Sequence, residues 1–278
     1  MRKFWKNANS RLKIGLFITA FFVILGFVVF YFPHINPFTF NTYPKKLAPS
    51  AAHWLGTTSM GQDIFWLLIE GIHNSLLIGL IVATIGTVVG VFVGLVAGFS
   101  GGALDRVLTV ITDTFVVIPS LPILILMTAL MKGSATVIMM ALVLGMFAWA
   151  WPSRQIRSMA LTIKERDFIH TAWFSGEGTV QVVITEILPY ALTWSLSNFM
   201  NATLAAIASE SSLAVLGLSP ANLISLGNII QWARERNAIF AKQWFWIGSP
   251  IVATVLLFIG LFLLITGYND YMSMKRGR

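Results

Sequence analysis

The chain has 278 residues, of which 56% are hydrophobic and only 11% are Asp, Glu, Lys or Arg. Soluble domains carry roughly 25% charged residues, so this composition excludes an ordinary soluble domain and indicates a protein of the lipid bilayer. The net charge of +8 would suit a nucleic-acid partner, but the basic residues lie at the ends of apolar runs and not on one patch, which argues against nucleic acid.

Six apolar stretches approach or exceed the roughly 20 residues that a transmembrane helix needs. They are residues 14–32, 75–99, 107–131, 136–151, 187–213 and 244–267. The first follows a basic segment, as in a signal peptide, but lacks a small-residue cleavage site before Pro33, so we interpret it as a retained anchor. The fourth is the shortest, and we consider an extension past Pro152. The sequence therefore predicts an all-α integral membrane protein with six transmembrane helices.

The distribution of Lys and Arg predicts the orientation. With both termini inside, 13 of the 19 Lys and Arg residues are cytoplasmic, as the positive-inside rule requires. Segments 33–71 and 217–243 then face outward. We predict a multi-pass protein of the cell (inner) membrane with cytoplasmic N- and C-termini. Residues 1–70 hold the first helix and an outward segment, residues 71–271 form the main membrane domain, and residues 272–278 are a basic cytoplasmic tail.

Glycines recur along the second span, mostly at four-residue spacing: Gly79, Gly86, Gly90, Gly94 and Gly98. Such a stripe allows another helix to approach closely. We interpret it as a packing feature with no role in binding a substrate.

The third span contains two prolines and a carboxylate. Pro119 and Pro122 interrupt the backbone hydrogen bonds, which fits either a hinge or a static kink. Asp113 lies inside the apolar run, where a carboxylate costs at least ~2.5 kcal/mol, so it is expected to face the bundle interior or a wet cavity. It is a candidate to line a translocation pathway. The alternatives are a hydrogen bond to a neighbouring helix or a position at the headgroup level.

The segment between the fourth and fifth spans, residues 157–186, is the most charged internal part of the chain. After a charged run at 164–167, apolar residues recur at helical spacing, which predicts a short amphipathic helix: Phe168, Ile169, Ala172 and Trp173. Gly176 and Gly178 are expected to end this helix, and a second helical stretch begins near Thr179. The amphipathic helix either lies on lipid headgroups or docks into a groove of a cytoplasmic partner.

The fifth span carries three further polar candidates. Glu210 is expected to lie within the membrane, where it either lines a pathway or bonds a neighbouring helix. Asn198 and Asn201 are also candidates for the pathway, although bonding between helices is the commoner role of such residues.

The charged segment resembles the coupling loop of ATP-binding cassette (ABC) importer permeases. That family's pattern reads E-A-A, three residues, G, a spacer and L-P, and the spacing of Gly176 and Leu188-Pro189 agrees with it, while His170 and Thr171 replace the first two letters. Segments 53–57, 60–63, 75–80, 98–105, 210–218 and 227–228 resemble, in order, the dipeptide/oligopeptide permease branch, specifically the second of its two membrane subunits. Gln62 departs from that branch's usual Arg. The resemblance covers most of the chain.

The resemblance implies a type I ABC-importer permease fold with a cytoplasmic coupling helix. It implies a heterodimer with a paralogous permease subunit, two cassette ATPases on the cytoplasmic side and an extracytoplasmic solute-binding protein. ATP and Mg would be used by the partner ATPases, because this chain has no G-x-x-x-x-G-K-[ST] motif and is expected to bind no cofactor or metal itself. The cargo would be peptides, with oligosaccharides or nickel as alternatives. The implied ATPase-docking residues are Phe168, Ile169, His170, Thr171, Ala172, Trp173, Gly176, Leu188 and Pro189.

Two other classes of function remain as alternatives. Residues 98–102 satisfy the G-x-S-x-G pattern around Ser100, but a serine protease needs a histidine base nearby. His34, His53 and His73 are predicted on the opposite side and His170 lies in the charged segment, so a turn between spans is favoured. A stand-alone secondary transporter would be expected to carry more ionisable residues within the membrane. The chain also has no cysteine, which excludes thiol chemistry.

Overall fold

The computed structural model describes residues 9–32, 36–130, 136–220 and 222–276. In these ranges the secondary structure is helical apart from an isolated bridge between Thr57 and Asp63, so the all-α prediction is confirmed. The helices are α1 (Ser10–Phe27), α2 (Ile64–Ser100), α3 (Gly102–Val117), α4 (Ser120–Leu130), α5 (Val137–Ala148), α6 (Ala150–Lys164), α7 (Asp167–Phe174), α8 (Thr179–Val182), α9 (Leu188–Val215), α10 (Leu226–Glu235) and α11 (Trp244–Arg276).

Four helical stretches of the described residues are long and apolar enough to cross a membrane: Ser10–Tyr31, Ile64–Ser100, Val137–Lys164 and Trp244–Met274. The third confirms that the fourth predicted span continues past Pro152. Helices α3 and α4 add a fifth if they form one broken span, bent by 78° beside Pro119. Helix α9 has 28 residues, enough for about 42 Å. It does not meet the same apolarity criterion, so its crossing stays a prediction.

The second span begins earlier than predicted, at Ile64 and not at Ser75. Asp63 supplies the start signal, because its Oδ1 accepts hydrogen bonds from the backbone N–H groups of Phe65 (2.9 Å) and Trp66 (3.3 Å). Such a cap satisfies donors that the first helical turn leaves unpaired. The polar residues Glu70 and Asn74 hide this start in the sequence, since they interrupt the apolar run.

The described chain divides into two compact units. One comprises Met1–Leu80, Ile125–Met140 and Leu204–Arg278, and the other comprises Ile81–Leu124 and Ala141–Thr203. Helices α2 and α9 each contribute residues to both units.

In the first unit, α1 and α11 run antiparallel in close contact. Glycines make this possible, because a Cβ added at Gly15 would lie 2.3 Å from the Leu264 nitrogen, and one added at Gly267 would lie 2.4 Å from that of Leu12. Asp270 accepts a 3.1 Å hydrogen bond from Asn9 at the end of this pair. A central cluster joins these helices to α2, α9 and α10: Phe22, Ile72, Leu76, Ile207, Leu226, Ala253, Leu257 and Leu261.

The two segments of the first unit that are predicted to face outward share a second hydrophobic cluster. Its fully buried members include Leu67 of α2, Ala233 of α10, Ala238 of the turn that follows α10, and Trp246 of α11. Phe38 and Leu55 of the first of these segments pack against it. The described parts of the two segments that the sequence predicts on the outer side therefore pack into one body, which we call the cap (residues 36–63, 217–220 and 222–243).

In the second unit, the glycine stripe of α2 packs against α5 and α6. A Cβ added at Gly86, Gly90, Gly94 or Gly98 would meet Ala148, Pro152, Ser153 or Ala160, respectively, within 2.6–2.8 Å. The predicted packing role is confirmed for these four glycines.

Candidate functional site

Helix α7 is the predicted amphipathic helix, and a glycine turn ends it as predicted. Gly176 adopts a left-handed conformation with φ of 87°, which costs a glycine little because it has no Cβ. The N–H of Gly176 donates to the carbonyl of Trp173 (3.0 Å), and that of Glu177 donates to the carbonyl of Ala172 (3.2 Å). This bonding pattern is the Schellman motif. It fixes the direction in which the chain leaves α7.

The inner side of α7 packs against its own chain. Ile169, Val182 and Ile187 are fully buried in one cluster. The partly buried residues around this cluster are Leu95, Phe99, Ile163, Ala172 and Trp173. The predicted apolar face of α7 therefore packs against residues of the same chain. Among the implied docking residues, Ile169 serves to hold α7 in place.

The side of α7 that faces away from this cluster is exposed. His170 and Thr171, which replace the E-A of the family pattern, are exposed. Phe168 is partly exposed, and its ring stacks on that of Tyr190 with centroids 6.3 Å apart. Phe174 is 92% exposed, so nearly all of its side chain is available for contact with another molecule. The apolar pattern of this helix did not predict a role for Phe174, whose spacing of five residues from Ile169 places it on another side of the helix.

A nearly continuous helical run leads from this turn into the fifth predicted span. It consists of α8, a π-helical turn at Val183–Ile187 and α9. Leu188 and Pro189 are the first residues of α9, where proline is well tolerated. An open cavity of about 610 Å³ lies beside the run, lined by Gly178, Thr179, Val180, Gln181, Ile184 and Thr185.

The two asparagines of α9 have different surroundings. Asn198 is buried, and its Nδ2 donates to the Thr87 hydroxyl of α2 at 3.4 Å. This contact fits a role in holding two helices together. Asn201 is exposed and donates to the Ser197 carbonyl of its own helix at 3.0 Å. Asn201 therefore presents a polar group on the surface of α9.

Glu210 lies in a fully buried polar cluster of the first unit. Its Oε1 accepts a 2.7 Å hydrogen bond from the Ser225 hydroxyl. Ser225 is also the N-cap of α10 and accepts from the Asn228 N–H at 3.1 Å. The hydroxyls of Ser211 and Ser219 lie near the carboxyl, yet its Oε2 has no hydrogen bond of ordinary geometry among the described residues. Glu210 thus connects α9 to the start of α10, as expected for a residue that bonds a neighbouring helix.

Further bonds fasten the same part of the cap to α2. The Ser75 hydroxyl accepts from the Leu226 N–H at 3.1 Å, and the Asn74 amide donates to the Ile224 carbonyl at 2.7 Å. Both bonds are buried, where a lost partner costs the most.

Asp113 is about half exposed and faces Arg154, with 3.8 Å between its Oδ1 and the Arg154 Nε. An exposed pair at this distance contributes little stability. A second pair is much closer, because the Arg157 guanidinium donates two hydrogen bonds of 2.6 and 2.8 Å to Asp105. None of the four pathway candidates bonds another within the described ranges. Their role in a pathway stays a prediction.

The G-x-S-x-G segment forms the turn between α2 and α3. Gly101 and Gly102 have positive φ angles of 63° and 59°. His53 is paired with Asp63 at 2.7 Å, and His73 is bonded to the Gly26 carbonyl at 2.8 Å. These histidines have structural partners, and His34 lies outside the described residues. The geometry supports the turn between helices.

Residues 90–277 match the family described as binding-protein-dependent transport system inner membrane component. The chain is 28% identical to the oligopeptide transport system permease protein OppC of Mycobacterium tuberculosis, over 100% of this chain and 96% of that protein. It is 30% identical to OppC of Bacillus subtilis, over 81% and 75%. It is 26% identical to the nickel transport system permease protein NikC of Escherichia coli, over 92% of both chains.

A solved structure shows the same fold. A chain of the MetNI methionine ABC transporter, crystallised in inward-facing conformations, superposes with a TM-score of 0.57 at 19% identity, covering 77% of this chain and 99% of that one. The expected ABC-importer permease fold is therefore confirmed. With the family match over residues 90–277, these similarities establish that the chain belongs to the inner membrane components of binding-protein-dependent transport systems.

Proposed function

We propose that this chain forms half of the translocation pathway of an ATP-driven peptide importer and that α7 is its coupling helix. The partners would be a paralogous permease subunit, two cassette ATPases that use ATP and Mg, and an extracytoplasmic solute-binding protein. Peptides are favoured over nickel because two relatives with 30% identity or more are named for oligopeptide and dipeptide transport. The nickel permease is 26% identical.

The observation that carries this proposal is the division of α7 into a fixed side and a free side. Ile169 is buried on the fixed side, and Phe174 is 92% exposed near the end of the helix. A partner that contacts Phe174, His170 and Thr171 would move α7 as one piece with the core around Ile169. The helical run through α8 would then carry that movement into α9, on which Asn201 is exposed. This arrangement provides what a switch between two pathway states requires.

The orientation can be tested cleanly because the chain has no cysteine. His170→Cys and Lys46→Cys each introduce one thiol at an exposed position. A membrane-impermeant maleimide applied to intact cells is expected to label the variant at position 46 and to spare the one at position 170 until the cells are opened. Labelling of position 170 in intact cells would place α7 on the outer side and overturn the proposal.

Coupling is tested with the partners present in proteoliposomes. Phe174→Ala is expected to weaken ATPase co-purification and ATP-driven peptide uptake, and to leave the melting temperature of the chain unchanged because the side chain packs against little. Phe40→Ala is a matched control, since Phe40 is also exposed, at 53%, but belongs to the cap. Uptake that persisted without ATP and stopped when ion gradients were removed would favour a secondary transporter.

A further inference from the structure

The turn between α10 and α11, residues 236–243, is a compact part of the cap. The N–H of Ala241 donates to the Asn237 carbonyl (3.0 Å), and that of Gln243 donates to the Ala238 carbonyl (2.8 Å). Ala238 is fully buried in the cluster that contains Trp246. The inner side of this turn is therefore held firmly, and its conformation is set by the cap.

The surface of the same turn that faces away from this cluster is apolar and exposed. Phe240 is 86% exposed and Ile239 is 48% exposed. Trp244 and Phe245, the first residues of α11, are exposed by 59% and 51%. Because α11 is a candidate membrane span that starts at Trp244, the turn precedes the point where the chain enters the bilayer. Aromatic side chains are enriched at this interfacial level.

Basic side chains accompany these apolar ones. Arg234, Arg236 and Lys242 are exposed, and none of them has an ion pair among the described residues. Glu235 is the single acidic residue of segment 217–243, and it accepts a hydrogen bond from Gln231 at 2.8 Å. The predicted topology leaves six Lys and Arg residues on the outer side, and three lie in this short segment.

Lys242 occupies a backbone conformation that lysine rarely adopts, with φ of 56°. Glycine or asparagine would adopt it at lower cost. What lysine adds at this position is an ammonium group two residues from the exposed Phe240. Strained residues that carry a chemical group are often functional.

We propose that the 236–243 turn binds the headgroup of an anionic phospholipid in the leaflet that surrounds the start of α11. Arg236 and Lys242 contact the phosphate, and Ile239 and Phe240 contact the upper acyl chains. A lipid fits better than the acidic surface of a soluble protein because the cations and the exposed apolar side chains are adjacent and directly precede a span. This combination is the one by which proteins bind anionic membrane surfaces. The inference does not depend on ATP coupling or on peptide transport.

The test uses the full chain in detergent and counts bound lipids by native mass spectrometry after titration with phosphatidylglycerol or phosphatidylcholine. The wild-type chain is expected to bind phosphatidylglycerol preferentially. The double variant Arg236→Gln/Lys242→Gln is expected to bind it roughly tenfold more weakly, because each basic residue near an anionic lipid surface contributes several-fold to the affinity. The variant Phe240→Ser is expected to weaken the binding of both lipids.

The matched control is Lys13→Gln/Arg106→Gln, which removes two exposed cations from other parts of the chain. Equal binding of the two lipids by the wild-type chain would overturn the proposal. So would a double variant at 236 and 242 that loses no more phosphatidylglycerol than the control. If that variant kept its lipid but lost affinity for the purified solute-binding protein, the turn would be a protein-docking surface and the lipid assignment would be wrong.

Discussion

Replacing a single hydrogen of Gly94 with a methyl group gives a sharp test of how the second unit is packed. A Cβ at this position would lie 2.6 Å from the Ser153 carbonyl oxygen and 2.8 Å from the Ile156 Cβ. Both neighbours belong to α6, and one is a backbone atom that no rotamer change can remove. Gly94→Ala therefore forces α2 and α6 apart.

The expected free-energy change combines two opposing effects. Alanine favours a helix over glycine by about 1 kcal/mol, whereas overpacking costs about 1–3 kcal/mol. Gly248 of α11 isolates the first effect, because a Cβ there would meet no atom within 4 Å. Gly248→Ala is thus expected to be stabilising by up to about 1 kcal/mol. Gly94→Ala should be less stable than Gly248→Ala by about the overpacking cost, 1–3 kcal/mol.

The measurement is the thermal midpoint of the detergent-solubilised chain, followed by fluorescence-detected size-exclusion chromatography. A difference of 1 kcal/mol corresponds to about 2–4 °C for a folded chain of 150–250 residues, so the two alanine variants should be readily distinguished. If Gly94→Ala were as stable as Gly248→Ala, the two helices would not be in the close contact that the structure shows, and the packing role of the stripe would be refuted.

Three further predictions concern the buried and paired residues. Ile169→Ala is expected to cost about 2–5 kcal/mol locally and to speed proteolytic cleavage within residues 165–179, whereas Ile184→Ala, which removes a side chain that is 56% exposed, should not. Glu210→Leu is expected to lower stability by about 1–3 kcal/mol because the buried Ser225 hydroxyl loses its acceptor, and a thermal midpoint equal to that of the wild type would contradict this role. Arg157→Lys is expected to cost about 1 kcal/mol through loss of the two-bond geometry with Asp105. Arg154→Lys, at an exposed pair of 3.8 Å, should change stability very little in the same assay.

Much of the fold follows from the sequence because lipid imposes a simple length rule. Apolar runs predicted α1, α5 with α6, and α11, and the glycine spacing of α2 predicted its close packing. The start of α2 could not be predicted in this way. Its first turns contain Glu70 and Asn74, and the cap that starts the helix is a side-chain hydrogen bond of Asp63. A window that counts apolar residues does not detect such a bond.

The candidate site was predicted in outline but not in detail. Helical spacing around Phe168 and Ile169 predicted α7, and Gly176 predicted its end. The resemblance to the coupling loop implied that Ile169 contacts a partner ATPase, yet this side chain is buried in its own chain. A short amphipathic helix has one apolar side, and only the tertiary structure shows whether that side packs internally or externally. Phe174 lies on another side of the same helix, and only the tertiary structure shows that it is exposed.

Glu210 shows how a polar residue in an apolar segment can be misinterpreted. A buried carboxylate suggests a role in transport, because burying a carboxylate in a membrane protein is costly. Here the carboxyl accepts from Ser225, which in turn caps α10, while Ser75 and Asn74 fasten the residues just before that helix. These buried bonds give the segment before α10 a fixed position on α2 and α9. The cost of burying Glu210 is thus offset by fixing the cap, so a change at this position would affect the cap through its stability without requiring contact between Glu210 and a transported solute.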